Sequence, residues 1–167
     1  MANTKIIIKV KNFGTMTAEL YADKAPNTVA NFVKLAKENF FDGLIFHRVI
    51  KGFMIQGGGY DETMADKDTA SIKGEFKANG FMQNDLKHTR GVLSMARTSD
   101  PNSASSQFFI MHQDAPHLDA QYAGFGMVTE GIEVVDKIAS TKTGSMGWYQ
   151  DVPRMPVVIE SVEIVEE

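Results

Sequence analysis

The chain has 167 residues, a formal net charge of -4 and no cysteine, with 43% hydrophobic and 23% charged residues. These values fit one ordinary globular domain and exclude collagen-like, fibrous and disordered chains. The acidic balance gives no positive field for nucleic acid or anionic lipid, and the lack of cysteine excludes disulfides, thiolate metal sites and cysteine nucleophiles.

The first 60 residues predict four strands and one helix. β-branched and alternating apolar runs are typical of strands, and here they are separated by turn residues such as Asn12, Gly14 and Gly52. Pro26 suits the first position of a helix, and apolar residues follow it at helical spacing up to Ala36. The strands predicted in this part are residues 5–10, 15–20, 44–50 and 53–56.

The rest of the chain predicts a long loop, four more strands and a second helix. From Tyr60 to about Arg90 the sequence is polar and aperiodic, which leaves two interpretations open, a functional surface or flexible decoration. An amphipathic helix is predicted at Ile132–Ala139, with Glu133 near its positive end and Lys137 near its negative end. The strands predicted here are residues 92–96, 107–111, 125–128 and 157–165.

Many short strands with two short helices indicate a mainly β fold. Since closure removes exposed strand edges, we expect a closed or nearly closed antiparallel barrel with the helices over its open ends. Period-two alternation places Phe46, Arg48 and Ile50 on one strand face. An arginine among apolar neighbours either extends over the barrel rim or belongs to a binding surface, and both interpretations remain open at this point.

Familiar catalytic motifs are incomplete. The run from Gly52 to Gly57 begins like a phosphate-binding loop, but Gly58 and Gly59 stand where that loop requires Lys and Ser or Thr. The four histidines lack the helical spacing of a zincin, so no metal site is expected. No serine stands in a GxSxG elbow, so a serine hydrolase is not indicated.

Three blocks of sequence carry a specific pattern. They are Phe46–Gly58, then Gly91–Ala96 with Pro101–Ser103 and Ser106–Ile110, and finally Leu118–Asp119 with Phe125–Gly126. In order and spacing these blocks resemble the cyclophilin family of peptidyl-prolyl cis-trans isomerases, and the likeness spans nearly the whole chain. The resemblance implies a closed eight-stranded antiparallel β-barrel capped by two α-helices, formed as one isomerase domain over residues 1–167.

The resemblance also implies roles for individual residues. The implied catalytic residues are Arg48, Gln56 and Phe53. Arg48 is the key residue, and Gln56 would orient it and also touch the substrate backbone. The residues implied for the proline pocket are Phe53, Met54, Phe109 and Leu118. Those implied for the groove that holds the residues before the proline are Ala96, Arg97 and Gln107. Strand alternation alone cannot place Phe53 and Gln56 on one face, so this arrangement requires a bend at Lys51 and Gly52.

Three substrate-site positions depart from the pattern of many eukaryotic members. His117 stands where Trp is frequent, Tyr122 where His is frequent, and Arg97 where Asn is frequent. In the family the Trp helps to hold the cyclic peptide cyclosporin, so we expect reduced affinity for that drug and intact isomerase activity. The substitutions resemble a bacterial cytoplasmic branch.

The expected partners are proline-containing peptides and unfolded or partly folded proteins, whose folding the protein would assist. We expect a cytoplasmic protein that does not bind membranes, because no apolar run approaches about 18 residues and no signal-peptide layout is present. The acidic balance disfavours binding to nucleic acid. We also expect a monomer. Rotation of an amide requires no metal or cofactor. Two alternatives are a peptide-binding or chaperone module with little turnover, and a barrel that carries a small apolar ligand inside.

Overall fold

The computed structural model describes residues 3–147 and 149–165. The strands are β1 (Thr4–Val10), β2 (Gly14–Leu20), β3 (Arg48–Ile50), β4 (Met54–Gly57), β5 (Val92–Met95), β6 (Phe108–Met111), β7 (Gly124–Glu130), β8 (Thr143–Met146), β9 (Tyr149–Pro153) and β10 (Ile159–Val165). The α-helices are α1 (Pro26–Lys37) and α2 (Ile132–Ala139), and short 3-10 helices lie at Lys77–Asn79 and Pro116–Leu118. None of the helices in the described residues has the length and hydropathy needed to cross a membrane.

Eight of the strands form one antiparallel sheet in the order β10-β1-β2-β7-β5-β6-β4-β3. The edge strands β3 and β10 do not pair in the sheet order, and among the described residues one isolated bridge, between Ile45 and Val158 ahead of these strands, joins this region. Two backbone hydrogen bonds support the bridge, from Phe46 N–H to Val157 O at 3.0 Å and from Ile159 N–H to Leu44 O at 2.8 Å. The mainly β architecture with an eight-stranded sheet and two helices is confirmed. The expectation of a completely closed barrel is corrected, because the edges of the sheet meet at a seam that consists of one bridge and no ladder.

The predicted helices and all eight predicted strand regions are present, with three differences in detail. β3 begins only at Arg48, because the preceding residues form the seam and not a ladder. Phe46 therefore packs in the barrel core, and the expectation that it shares a face with Arg48 is wrong. The hairpin of β8 and β9 was not predicted, since its Gly144, Ser145 and Pro153 favour no strand and its packing beside β3 is not visible in the sequence.

The barrel interior is filled with aromatic side chains. Phe32 from α1 packs on Phe41, Phe108 and Phe125 with ring centroids 4.8, 5.3 and 5.2 Å apart. All four rings are almost completely buried. Close packing of this kind disfavours the alternative of a small ligand carried inside the barrel.

The segment between β4 and β5 is a loop, as predicted, and buried side chains attach it to the barrel. Glu75 is only 2% exposed and accepts hydrogen bonds from the Thr28 backbone N–H at 2.7 Å and the Thr28 hydroxyl at 2.8 Å. It caps the N-terminus of α1, whose own N-cap residue, Ala25, has no capping side chain. Phe76 packs in the core beside it. The loop is therefore fixed to the fold near its middle.

We expect Glu75→Ala to lower the free energy of unfolding by about 1 to 3 kcal/mol, because the two Thr28 donors and the positive end of α1 lose a buried carboxylate. Urea unfolding followed by circular dichroism measures the change. Glu62→Ala is the matched control, since Glu62 lies exposed in the same loop and its loss should cost less than about 0.5 kcal/mol. Equal midpoints for the Glu75 variant and the unchanged protein would contradict the capping role.

Candidate functional site

The site is built on one lateral row of residues across four strands. Arg48 of β3 pairs with Gln56 of β4, and Gln56 pairs with Phe109 of β6. On the other side of β6, Phe109 pairs with Ser94 of β5. Directly opposite residues point to the same sheet face, so the row lies on one side of the sheet. Phe108, the neighbour of Phe109, packs in the barrel core, which makes this side the outer one.

A pocket with a largely apolar lining lies on this outer face. Its buried members, Met54, Phe109 and Leu118 among them, form a hydrophobic cluster separate from the barrel core. The lining residues are Arg48, Phe53, Met54, Gln56, Ala96, Arg97, Phe109, Leu118 and Tyr122. Each of these was singled out from the sequence, and the fold brings them together.

Two of the residues singled out from the sequence lie beside this pocket and do not line it. Gln107 lines an adjoining polar groove that shares Gln56, Ala96 and Arg97 with the pocket. His117 is exposed on a 3-10 helix, where its ring stacks on Phe53 with the centroids 5.8 Å apart. The two cavities form a continuous surface across Gln56 and Ala96.

Phe53 reaches the pocket from a turn and not from a strand. Gly52 adopts a φ of +82°, in the left-handed region that favours glycine. The Phe53 N–H donates to Ile50 O at 3.0 Å, and the Gly52 N–H donates to His112 Nδ1 at 2.8 Å. Strand alternation therefore does not apply to Phe53, and the bend required at Lys51 and Gly52 is present.

A chain of hydrogen-bonded polar side chains forms the edge of the pocket where Arg48 and Gln56 lie. Arg48 Nη1 donates to Gln56 Oε1 at 3.3 Å, and Gln56 Nε2 donates to Gln107 Oε1 at 3.0 Å. These two bonds use both ends of the Gln56 amide and so set its orientation. No further hydrogen bond of the Arg48 side chain occurs within residues 3–147 and 149–165, so most of its five N–H groups can donate to a bound molecule.

Arg97 lies at the border between the pocket and the groove in a fixed position. Its guanidinium sits between the rings of Phe76 and Tyr122, 4.9 and 4.7 Å from their centroids. Its Nη2 donates to Gln121 O at 2.8 Å and its Nη1 to Thr98 O at 2.9 Å. The contact with Phe76 was not predicted, because Phe76 belongs to the aperiodic loop and no local pattern connects the two.

Three residues of the polar groove also went unrecognised in the sequence. Thr98, Ser103 and Ser105 line it together with Gln107. The hydroxyl groups of Thr98 and Ser103 bond to each other at 2.8 Å across the turn that joins β5 to β6. Ser103 stood in a block that resembles the family and in a turn, but it was given no site role, because small polar residues occur at turns whether or not they line a groove.

His47, next to Arg48 along the chain, is buried and uncharged at neutral pH. Burial and, secondarily, the positive charge of Arg48 lower its pKa to about 4. Its ring packs on the edge of Tyr60 with centroids 4.6 Å apart, and its Nδ1 has no hydrogen-bond partner in the described part of the chain. A neutral His47 adds no second positive charge beside Arg48.

The site combines an apolar pocket with one cationic multi-donor group beside it. Such a surface can hold an apolar ring and donate hydrogen bonds to atoms next to that ring. Across the described ranges, no three His, Asp or Glu side chains come together in an arrangement that could hold a metal ion. The residues that line the pocket can bind a ligand and donate hydrogen bonds to it.

Comparison with known sequences is consistent over nearly the whole chain. Residues 5–164 match the family model described as "Cyclophilin type peptidyl-prolyl cis-trans isomerase/CLD". A peptidyl-prolyl cis-trans isomerase of Acinetobacter baylyi is 49% identical over 170 residues, covering 98% of this chain and 87% of that protein. The peptidyl-prolyl cis-trans isomerase B of Escherichia coli is 46% identical over 164 residues, covering 93% of this chain and 96% of that protein.

Solved structures match at the level of the fold. A Cryptosporidium parvum cyclophilin type peptidyl-prolyl cis-trans isomerase superimposes with a TM-score of 0.82 at 27% identity and covers 99% of both chains. A second structure of that protein, determined in the presence of the dipeptide Ala-Pro, gives a TM-score of 0.80 at 28% identity. The likeness therefore includes both the order of the elements and their arrangement.

We expect the free energy of unfolding to fall as the pH drops from 6.5 towards 4. In this window the unfolded chain protonates His47 and the folded chain does not, so acid favours unfolding by up to roughly 3 kcal/mol. The lowered pKa of buried His88 acts in the same direction. Urea midpoints at pH 7 and 4.5 measure the effect, which His47→Phe should reduce and His117→Phe, at an exposed site, should retain. An unchanged pH dependence in His47→Phe would contradict this assignment.

Proposed function

The chain belongs to the cyclophilin-type peptidyl-prolyl cis-trans isomerase family and is an isomerase of that class, and we propose that its outer pocket binds the proline of X-Pro peptides. Arg48 then stabilises the twisted amide as the bond rotates. The observation that carries the proposal is the row of Arg48, Gln56 and Phe109, which sets a cationic donor beside an apolar pocket.

The proposed role of Arg48 follows from the electronic structure of the amide. Conjugation of the nitrogen lone pair keeps the X-Pro bond planar and creates a barrier of about 18 to 20 kcal/mol. In the twisted transition state this conjugation is lost, and the prolyl nitrogen can accept a hydrogen bond. The planar ground state offers no such acceptor, so a bond from Arg48 favours the transition state selectively.

The pocket residues hold the proline while the acyl side turns. Phe53, Met54, Phe109 and Leu118 provide the apolar wall, and all but Phe53 are buried in the free protein. A wall that is already packed loses little freedom on binding, and by excluding water it strengthens the contact with Arg48. The Ala-Pro dipeptide present with the Cryptosporidium parvum relative supports this class of ligand.

The adjoining groove takes the residues that precede the proline. Ala96, Arg97 and Gln107 line it beside Gln56, which orients Arg48 and reaches the substrate backbone. An extended peptide can use main-chain groups along such a groove, so the Arg97 substitution is compatible with binding. The pair of Arg48 and Gln56 also favours turnover over the alternative of a peptide-binding module without activity.

The physiological substrates would be proline-containing segments of unfolded or partly folded proteins, whose folding this rotation assists. We further propose that residues 1–167 act as one isomerase domain, because β1 and β10, near opposite ends of the chain, pair along one ladder. The cytoplasmic location and the monomeric state stay predictions.

Replacing Arg48 with Ala should lower kcat/KM by roughly 100-fold to 1000-fold, the usual loss when a transition-state hydrogen-bond donor is removed. Arg48→Lys should also be poor, because an ammonium cannot donate to Gln56 and the prolyl nitrogen as a planar fork does. NMR exchange on a short X-Pro peptide measures turnover. Arg154→Ala, at an exposed arginine outside the pocket, is the control and should keep full activity. Unchanged turnover in either Arg48 variant would sink the mechanism.

We expect His117→Trp to tighten cyclosporin by about 1 to 2 kcal/mol, because an indole adds aromatic area and an N–H donor beside Phe53. Peptide turnover should change little, since His117 does not line the pocket. Titration calorimetry measures the affinity. No gain in affinity would show that His117 is not the cause of weak binding and would point to Tyr122 or residues 61–68.

A further inference from the structure

Three polar side chains, of which His88 and Ser94 are buried and Asp119 is partly exposed, form a hydrogen-bonded chain beside Phe109. His88 Nε2 lies 2.8 Å from Ser94 Oγ, and His88 Nδ1 lies 3.2 Å from Asp119 Oδ1. The same Asp119 oxygen accepts a hydrogen bond from the His88 backbone N–H at 2.6 Å. Neither the sequence patterns nor the proposed reaction assigns these three residues a task.

The connectivity is that of a Ser-His-Asp catalytic triad, but the surroundings exclude a hydrolase. In a hydrolase the serine oxygen must meet a substrate carbonyl. Here Ser94 is 0% exposed and His88 1% exposed, so no substrate reaches the serine oxygen. The chain of hydrogen bonds must act on its neighbours and not on a substrate.

In a neutral His88 ring, the hydrogen bonds define which nitrogen carries the proton. An ionised carboxylate only accepts hydrogen bonds, so Nδ1 carries the proton that goes to Asp119. Nε2 is then the acceptor for the Ser94 hydroxyl. Burial lowers the pKa of His88, against an opposing effect of Asp119, which favours this neutral ring. Both ring nitrogens are satisfied, so the ring is held from two sides.

The ring held in this way contacts the pocket residues. His88 stacks on Phe109 with the centroids 6.0 Å apart and the planes 23° apart. It meets Tyr122 edge-on at 6.4 Å, and Phe109 and Tyr122 pack on each other at 5.8 Å. Asp119 directly follows Leu118 of the pocket wall, and the Ala115 N–H donates to His88 O at 2.8 Å. His88 therefore contacts Phe109 and Tyr122 of the pocket and is bonded to the segment that contributes Leu118.

We propose that His88 is a positioning residue of the isomerase site, held by Ser94 and Asp119 so that its ring sets the orientation of Phe109 and Tyr122. The inference rests on the proposed function, since Phe109 is taken as part of the proline pocket. Phe109 touches the proline ring both before and during rotation, so a displaced Phe109 weakens ground-state and transition-state binding together. Loss of His88 should therefore raise KM more than it lowers kcat, unlike loss of Arg48.

The test replaces His88 with Phe, which keeps an aromatic ring and removes both hydrogen bonds. We expect KM for an Ala-Pro peptide to rise by about 3-fold to 10-fold with kcat within about 2-fold, as when one member of a coupled network is removed. His88→Asn, which keeps a donor near the Nδ1 position, should recover part of the loss. Thr28→Val is the matched control: it removes a buried hydroxyl bond of 2.8 Å to Glu75, outside the pocket, and should leave KM unchanged.

A second measurement does not depend on isomerase activity. The methyl carbon of Met54, in the same apolar cluster as Phe109, reports ring movement through its NMR shift in the free protein. We expect this shift to change in His88→Phe and not in Thr28→Val. If His88→Phe does not fold, Ser94→Ala and Asp119→Ala each remove one support and should show the same changes at smaller size.

The outcomes separate the two proposals. If the Met54 chemical shift and the KM of His88→Phe both equal those of the unchanged protein, the positioning role is overturned. A fall in kcat with KM unaltered also overturns it. If the unchanged protein shows no turnover of X-Pro peptides, the proposed function fails. The Met54 shift and the dissociation constant of the Ala-Pro peptide then still decide whether His88 positions Phe109.

Discussion

The opposite orientation of two neighbouring phenylalanines in β6 is the constraint on which the rest of the site depends. Phe108 points into the barrel and packs on Phe32 and Phe41, while Phe109 points outward into a separate cluster. The filled interior leaves the strand little freedom to slip, because a shift by one residue would exchange the two faces. The register that pairs Phe109 with Gln56, and Gln56 with Arg48, is thereby held by the core.

Rigidity on the outer face comes from contacts made by irregular segments. The loop between β4 and β5 contributes Glu75 to the start of α1, Phe76 to the core and to Arg97, and His88 to Phe109. One segment, whose only helix in the described residues is the short 3-10 helix Lys77–Asn79, therefore links a helix, the core and both ends of the binding surface. Long loops of this kind are fixed by side-chain bonds where ladders are absent, which explains its buried polar residues.

The electrostatics of the site are simple because its buried groups are neutral. Burial lowers the pKa of both His47 and His88, so neither adds positive charge beside Arg48 near neutral pH. The Gln56 and Gln107 amides orient Arg48 and leave its charge uncompensated, whereas a carboxylate in their place would neutralise it. A cation that keeps its charge and most of its donors suits the stabilisation of a transient lone pair.

The sequence by itself determined the helices and the strands of the large sheet, because periodicity and turn residues are local signals. Its motifs also brought out the residues that line the pocket, Arg48 and Phe109 among them. Only the tertiary structure decided that the turn at Gly52, with its left-handed φ, directs Phe53 into the pocket. It also decided that His117 lies outside the pocket and that β8 pairs with β9. It also decided the contacts of Glu75 with Thr28 and of Arg97 with Phe76. These contacts join residues far apart in the chain, where no local pattern records the partner, and their energy appears only when packing brings the two side chains together.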